Sequence, residues 1–342
     1  MTEFLSAYGL FLAKTLTGVI ALLVVAVGFF ALLRSARQHT PEDAIEVRNL
    51  NERYRAMADA LRDELLDDDE HKQLRKARKA EAKAQKSKDR VRKPRVFVLA
   101  FRGDLQASPV EALREEISAV LQVAGKDDEL LLRLESEGGL VHGYGLAASQ
   151  LARVREQGLR LTVAVDKVAA SGGYMMACVA DRIVAAPFAI LGSIGVVAQI
   201  PNFNRLLKRH EVDLELHTAG EYKRTLTLFG ENTETGRAKF REEIEQTHQL
   251  FKSFVARYRP QLDLARVATG EHWFGSQALE LKLVDSLETS DDYLLQRIAR
   301  ADVYAVRYKR RQRLAERLSR GMAQIGDDLR RGLETAVTRR WS

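Results

Sequence analysis

Residues 161–186 read LTVAVDKVAASGGYMMACVADRIVAA, and this stretch decides the fold. Leu161–Val165 is a short apolar run rich in β-branched residues and closed by Asp166 and Lys167, the pattern of a buried strand. Ala170-Ser171-Gly172-Gly173 breaks the chain, Ser171–Val179 reads as helical, and Arg182–Ala186 returns to strand. Upstream, Val96–Phe101 and Leu130–Leu134 are strands of the same kind. Helical periods follow them at Val110–Val123 and from about His142 to Glu156. Strands alternating with helices of about a dozen residues predict βαβ units and a mainly parallel sheet, the α/β class. Downstream, the pattern turns helical after Val212–His217, with a long amphipathic stretch over Thr235–Tyr258. Ile183–Pro201 is apolar enough to resemble a membrane span. However, Pro187, Gly192, Ser193, Gly195 and Pro201 interrupt it and Asp181 and Arg182 abut it, so short buried strands joined by tight turns are expected.

The chain ends differ from this middle. From Tyr8 to Leu33 the only charge is Lys14, and the run is long enough to cross about 30 Å of hydrocarbon at about 1.5 Å per residue. Thr2 and Glu3 lead it and Arg34 and Arg37 close it. That order favours a retained anchor in the lipid bilayer over a cleaved signal peptide. Between Pro41 and Leu66 the apolar residues Val47, Leu50, Tyr54, Met57, Leu61 and Leu65 recur at helical spacing. Residues 67–93 are rich in Lys, Ala and Arg without interleaved aromatics, a solvated linker more than a nucleic-acid surface. The expected organisation is an anchor over 1–36, a charged helical linker over 37–93, a catalytic domain over 94–306 and a basic tail over 307–342.

Composition narrows the class. Hydrophobic residues make up 46% and charged residues 30%, which excludes a wholly disordered chain. The single cysteine, Cys178, excludes an intramolecular disulfide. The net charge of +7 is concentrated in Lys72–Arg95 and beyond Arg307, and next to an apolar anchor it points to an anionic membrane surface. No nucleic-acid partner is expected. Neither a Walker loop nor a GxGxxG fingerprint occurs, and no metal motif such as HExxH is present. No metal or cofactor is expected.

Two glycine clusters carry the candidate chemistry. Ser136-Glu137-Gly138-Gly139 follows the strand ending at Leu134, and Ser171-Gly172-Gly173 lies between a strand and a helix. Carboxyl ends of parallel strands are where open α/β sheets place their sites. Glycine lets backbone N–H groups come close enough to a ligand to form an oxyanion hole. Ser171 itself reads either as an exposed nucleophile or as an ordinary helix N-cap. His142, His217 and His272 have no spacing that recommends a triad, GxSxG is absent, and Cys178 sits in an apolar pattern that reads as core.

Three further motifs make a specific resemblance. Val168-Ala169-Ala170-Ser171-Gly172-Gly173-Tyr174, Gly192-Ser193-Ile194-Gly195-Val196 and Gly220-Glu221-Tyr222-Lys223-Arg224 occur in that order. Together they resemble the signal peptide peptidase A family of bacterial inner-membrane peptidases, in its SohB branch. Val141-His142-Gly143-Tyr144-Gly145, Met175-Met176-Ala177-Cys178 and Thr218–Asn232 extend the similarity over nearly the whole chain. The resemblance implies a ClpP/crotonase-like fold of repeated ββα units. It also implies a Ser/Lys dyad with Ser171 as nucleophile, Lys223 as general base and Ser193 orienting the lysine. The backbone amides of Gly139, or its neighbour Gly138, and of Gly172 would face the oxyanion. The family commonly carries Ser-Pro-Gly-Gly where this chain has Glu137.

A Ser/Lys dyad needs a neutral lysine. Moving an amine from about 10.4 to 7–8 requires about 4 kcal/mol against the charged form, which burial supplies. Without the resemblance, Lys223 reads as a surface lysine. The implied substrates are signal-peptide remnants or unfolded membrane-associated polypeptides, and the implied assembly is a ring-shaped homo-oligomer. The arginines after the anchor favour a cytoplasmic body, whereas the resemblance favours a periplasmic one, which is the expectation adopted. Two other functions compete: a crotonase-like acyl-CoA enzyme using the same amides, and a catalytically inert membrane scaffold that binds partners through the helix before Leu66 or the basic tail.

Overall fold

The computed structural model describes residues 44–67 and 93–309 without a break, together with short pieces of the preceding sequence, among them 9–12 and 14–23. Residues 45–308 form one compact unit, and 1–44 with 309–342 make up the other. In the second unit, the described residues 9–12 and 14–23 are helical, with Leu10, Phe11, Leu16 and Leu22 exposed. Among the described residues no helix is long and apolar enough to cross a membrane. Apart from residue 27, the remainder of the apolar run 8–33, most of the charged stretch 67–93 and the tail after 309 lie outside the described residues.

The strands of the compact unit are β1 (Ala44–Asn49), β2 (Arg95–Arg102), β3 (Glu129–Glu135), β4 (Arg160–Val165), β5 (Val168–Ala170), β6 (Arg182–Ala185), β7 (Ile190–Gly192), β8 (His272–Phe274), β9 (Ser286–Leu287) and β10 (Asp302–Lys309). Seven of them form the main sheet in the order β1-β10-β2-β3-β4-β6-β9. The pairs from β10 to β9 are all parallel. This is the α/β architecture that the alternating pattern predicts.

The central strands are buried on both faces, which explains their uninterrupted apolar character. Phe97, Leu99, Phe101, Leu130, Leu132 and Leu134 enter one core, while Val96, Val98 and Leu131 enter the other. The alternation follows from the two-residue period of a strand. On the first side pack α2 (Val110–Val123) and α3 (Val141–Glu156), whose Leu113, Ile117, Tyr144 and Leu151 are buried. Ile183–Pro201 is folded as β6 and β7 joined by turns, with Ile183, Val184, Leu191 and Ile194 in the core. The reading as short strands holds.

Two segments differ from the sequence reading. The expected helix over Pro41–Leu66 splits at Asn49, whose side chain accepts a hydrogen bond from Glu52 N–H and caps α1 (Leu50–Leu65). Before it, β1 joins the edge of the sheet beside β10. Asn51 fixes the junction. Buried, it donates to the Ile298 and Ala301 carbonyls and accepts from Val303 N–H, so all three partners lie in the body. The second difference comes after Val212–His217: no helix forms before Glu234–Tyr258, and Val212–His217 is itself exposed without regular structure.

Candidate active site

A second, smaller sheet builds the site. β5 pairs with β7 in parallel, Ala170 opposite Gly192, and β7 pairs antiparallel with β8. Ser171 and Ser193 are therefore the first residues beyond a matched pair of neighbouring strands. Ser171 has φ +52 and ψ −118, and Ser193 has φ +51. Backbone conformations of this kind cost a non-glycine residue on the order of 1–3 kcal/mol and persist only where the surroundings fix them. The fixing is visible. Ser171 N–H donates to the Gly192 carbonyl at 2.8 Å and its carbonyl accepts from Met175 N–H at 2.9 Å, while Ser193 N–H donates to the Glu271 carbonyl at 2.6 Å.

Ser171 stands at the N-cap position of α4 (Gly172–Ala177) but does no capping, because its hydroxyl makes no hydrogen bond to the helix. Among the described residues, four other helices are capped in the ordinary way, by the side chains of Asn49, Thr233, Asp263 and Thr289. The N-cap reading of Ser171 is thereby excluded. What is left is a half-buried, unengaged hydroxyl on a strained turn.

The first glycine cluster closes around this turn. Ser136 is stitched to β5 by donating to the Val168 carbonyl and accepting from Ala170 N–H. That brings Gly138, at φ +93, so near the Ser171 turn that a methyl group there would lie 2.7 Å from Gly172 N and 2.8 Å from Ser171 Cβ. A methyl on Gly139 would lie 2.1 Å from the Leu105 carbonyl oxygen. Only glycine fits at either place. Gly138 N–H donates to Ser136 Oγ at 3.1 Å, so it is turned to the loop's own hydroxyl. Gly139 N–H donates to nothing among the described residues, and Gly172, the first residue of its helix, has no partner in the preceding turn. Glu137, where a proline occurs in the resembled family, is exposed.

Lys223 lies elsewhere. It belongs to an arm, Val197–Phe229, in which no residue is buried. The arm's two legs are tied to each other: Phe203 N–H donates to the Leu228 carbonyl, and Asn204 donates through its side chain to the Phe229 carbonyl. The Phe203 and Phe229 rings stack at 6.0 Å. Lys223 is exposed and its amine makes no hydrogen bond or ion pair among the described residues. The structure thus brings together Ser171, Gly172, Gly138, Gly139 and Ser193, and leaves Lys223 exposed with no hydrogen bond to any of them. The other sequence candidates go as expected: His142, His217 and His272 are exposed, and Cys178 is fully buried, its thiol pushed up by desolvation.

Comparison with known proteins fixes the family. The descriptions "Peptidase family S49 N-terminal" and "Peptidase family S49" match residues 3–151 and 153–303. A protein of Haemophilus influenzae named "Probable protease SohB" is 52% identical over 94% of this chain and 93% of its own length. The chain belongs to peptidase family S49. It is a serine peptidase of this family, related to the SohB proteins. A "Probable protease SohB" of Buchnera aphidicola from Acyrthosiphon pisum is 62% identical over 66% of this chain and 68% of its own length. A solved variant of the 1510-N membrane-bound stomatin-specific protease overlaps with a TM-score of 0.42 at 11% identity, covering 60% of this chain and 85% of that one.

Sequence reasoning missed two groups in this candidate site. One is the Ser136 hydroxyl, quoted only as part of a glycine motif. The other is Tyr144, whose ring lies against Gly172: a methyl group on that glycine would sit 2.4 Å from Tyr144 Cγ. The flanking glycines of Gly143-Tyr144-Gly145 were the available signal. Gly143 faces the Gln106 carbonyl at 2.8 Å from where a methyl would be, so part of the motif marks close packing around the tyrosine.

Proposed function

We propose that Ser171 is the nucleophile of this peptidase and Lys223 its general base, with Ser193 orienting the amine. The observation that carries the reading is the strained, uncapped Ser171 held against glycine amides. In the proposed cycle the Ser171 Oγ bonds to the scissile carbonyl carbon as its proton passes to a neutral Lys223 amine. The carbonyl electron pair moves to oxygen, which the N–H groups of Gly139 and Gly172 receive. The intermediate collapses, and the leaving amine takes the proton back from Lys223. Water then attacks the acyl-serine with Lys223 again as base, which frees the acid and restores the hydroxyl. Gly138 shapes the loop instead of facing the oxyanion. Purified Ser171→Ala and Lys223→Ala proteins should fold and lose hydrolysis of an unstructured peptide. Full activity in either would discard that residue's role.

The exposed arm argues for assembly. Val197 is 83% exposed, and Val212, Leu214, Leu216, Leu228 and Phe229 are also exposed on the arm; large apolar side chains gathered on one exposed segment mark an interaction surface. A homo-oligomer that covers the arm supplies the desolvation a neutral lysine needs. Light scattering should find a multimer, and a monomer with full activity would contradict this.

The remaining reading follows the sequence: a single-pass anchor within 1–36, a charged segment reaching to residue 93, a ClpP/crotonase-like peptidase body and a basic tail from 307. The anchor's length and apolarity support an inner-membrane location, and the family resemblance supports a periplasmic body and substrates that are signal-peptide remnants or unfolded membrane-associated polypeptides. Protease protection in intact spheroplasts tests the side of the membrane. Family membership sets aside the acyl-CoA and inert-scaffold alternatives.

A further inference from the structure

Behind the glycine loop lies a buried polar chain that the proposed cycle does not use. Tyr144 is fully buried. Its hydroxyl is 2.7 Å from the Asp104 carbonyl oxygen and 2.6 Å from Ser136 Oγ. A carbonyl only accepts, so the phenol proton points to Asp104. The tyrosine oxygen must then accept from Ser136, whose oxygen in turn accepts from Gly138 N–H at 3.1 Å. The directions are fixed from end to end: Gly138 N–H to Ser136 O–H to Tyr144 O–H to the Asp104 carbonyl. Such a chain in a dry interior strengthens each of its members. Burial raises the Tyr144 pKa, which keeps the phenol protonated as a donor.

The site is shaped to hold this chain. A methyl group on Gly103 would lie 2.3 Å from the Tyr144 hydroxyl oxygen and 2.5 Å from Ser136 Oγ. The same tyrosine ring forms the floor under Gly172 and meets Phe101 edge-on at 6.3 Å between centroids. One residue therefore touches both halves of the candidate oxyanion site. Its hydroxyl reaches the Gly138–Gly139 loop through Ser136, and its ring supports the peptide unit after the nucleophile.

We infer that Tyr144 and Ser136 are positioning residues of this peptidase, setting the Gly139 amide at its working distance from Gly172. The inference rests on the assignment of Ser171 as nucleophile. A displacement of about 1 Å in such a donor costs on the order of 100-fold in rate, and losing one donor costs on the order of 100- to 1,000-fold. Tyr144→Phe keeps the ring and removes only the hydroxyl. It should lower kcat by about 10- to 100-fold with KM unchanged, and weaken a peptide aldehyde inhibitor by about the same factor. Ser136→Ala should do the same. The Tyr144→Phe/Ser136→Ala double variant should be no worse than the poorer single, because either change breaks one chain.

The experiment measures kcat, KM, aldehyde affinity and thermal midpoint for the three variants beside Ser171→Ala, all in the full-length protein. A kcat loss with unchanged KM, parallel loss of aldehyde affinity and a non-additive double variant is the expected result. Wild-type kcat in Tyr144→Phe overturns the inference, and so does a double variant whose losses multiply. If Tyr144→Phe does not fold, Ser136→Ala decides by the same kcat and aldehyde criteria. Full activity in Ser171→Ala overturns the nucleophile assignment and the inference with it. Inactive Ser171→Ala beside fully active Tyr144→Phe overturns the inference alone.

Discussion

The serine turn and the lysine arm are built in opposite ways. Around Ser171, three chain segments converge so closely that a methyl group on Gly138, Gly139 or Gly172 would collide with its surroundings. From Val197 to Phe229, by contrast, no residue is buried, and the arm's two legs are tied to each other by Phe203 N–H to the Leu228 carbonyl and by the Asn204 side chain to the Phe229 carbonyl. A nucleophile and its oxyanion donors need sub-ångström placement, which only a packed core gives. A general base needs to be dry, and dryness can come from whatever covers the arm. One chain supplies the first requirement and leaves the second open.

The comparison can be broken most sharply by substituting the two proposed reacting residues. Ser171→Ala and Lys223→Ala should each abolish measurable peptide hydrolysis with unchanged circular dichroism. Activity left in the lysine variant would mean the arm is not the source of the base. Next in size, Gly172→Ala drives a methyl into the Tyr144 ring. It should cost about 1–3 kcal/mol of stability by overpacking, read from denaturant unfolding, and on the order of 100-fold in kcat.

Replacing 203–228 by a short glycine-serine turn joins legs that are already hydrogen-bonded. Because nothing in the arm is buried, the thermal midpoint of the body should move by no more than a few degrees while hydrolysis disappears. A collapse of stability would show that the arm belongs to the core after all.

The smallest effect concerns the body alone. Glu116 in α2 is buried, its carboxylate accepts from Tyr308 N–H, and desolvation raises its pKa to about 7. The folded state therefore holds this proton more tightly than the unfolded chain, whose carboxyl titrates near 4.5. Stability from this group is present below pH 4.5 and is lost as pH rises through 7, by up to about 3 kcal/mol. Glu116→Gln should flatten that slope in urea unfolding between pH 5 and 8, with no change in the pH profile of kcat. An unchanged slope would remove Glu116 as the source.

Much of the fold was legible because its strands are buried on both faces and so appear as unbroken apolar runs: Val96–Phe101, Leu130–Leu134 and Leu161–Val165 all fall within observed strands. The three-residue strands β5 and β8 were not legible, since Val168–Ala170 and His272–Phe274 are too short to show a period and are held by long-range pairing with β7. The start of the body was misread for a different reason. Ala44–Asn49 is held by edge pairing and by Asn51, long-range interactions that helical spacing does not encode. At the site, the glycines advertised close backbone approach, and the structure bears out that packing. Tyr144 stayed hidden because a lone aromatic on a helix looks like core, and only its partners distinguish it.

The central claim, a serine made reactive by a lysine on an exposed arm, is tested most directly by covalent labelling. The full-length protein is treated with a fluorophosphonate and the modified peptide is identified by mass spectrometry. One adduct on Ser171, formed rapidly in the wild type and lost in Lys223→Ala, is the predicted result. An adduct on another serine, or equal labelling of Ser171 with and without the lysine, would contradict it.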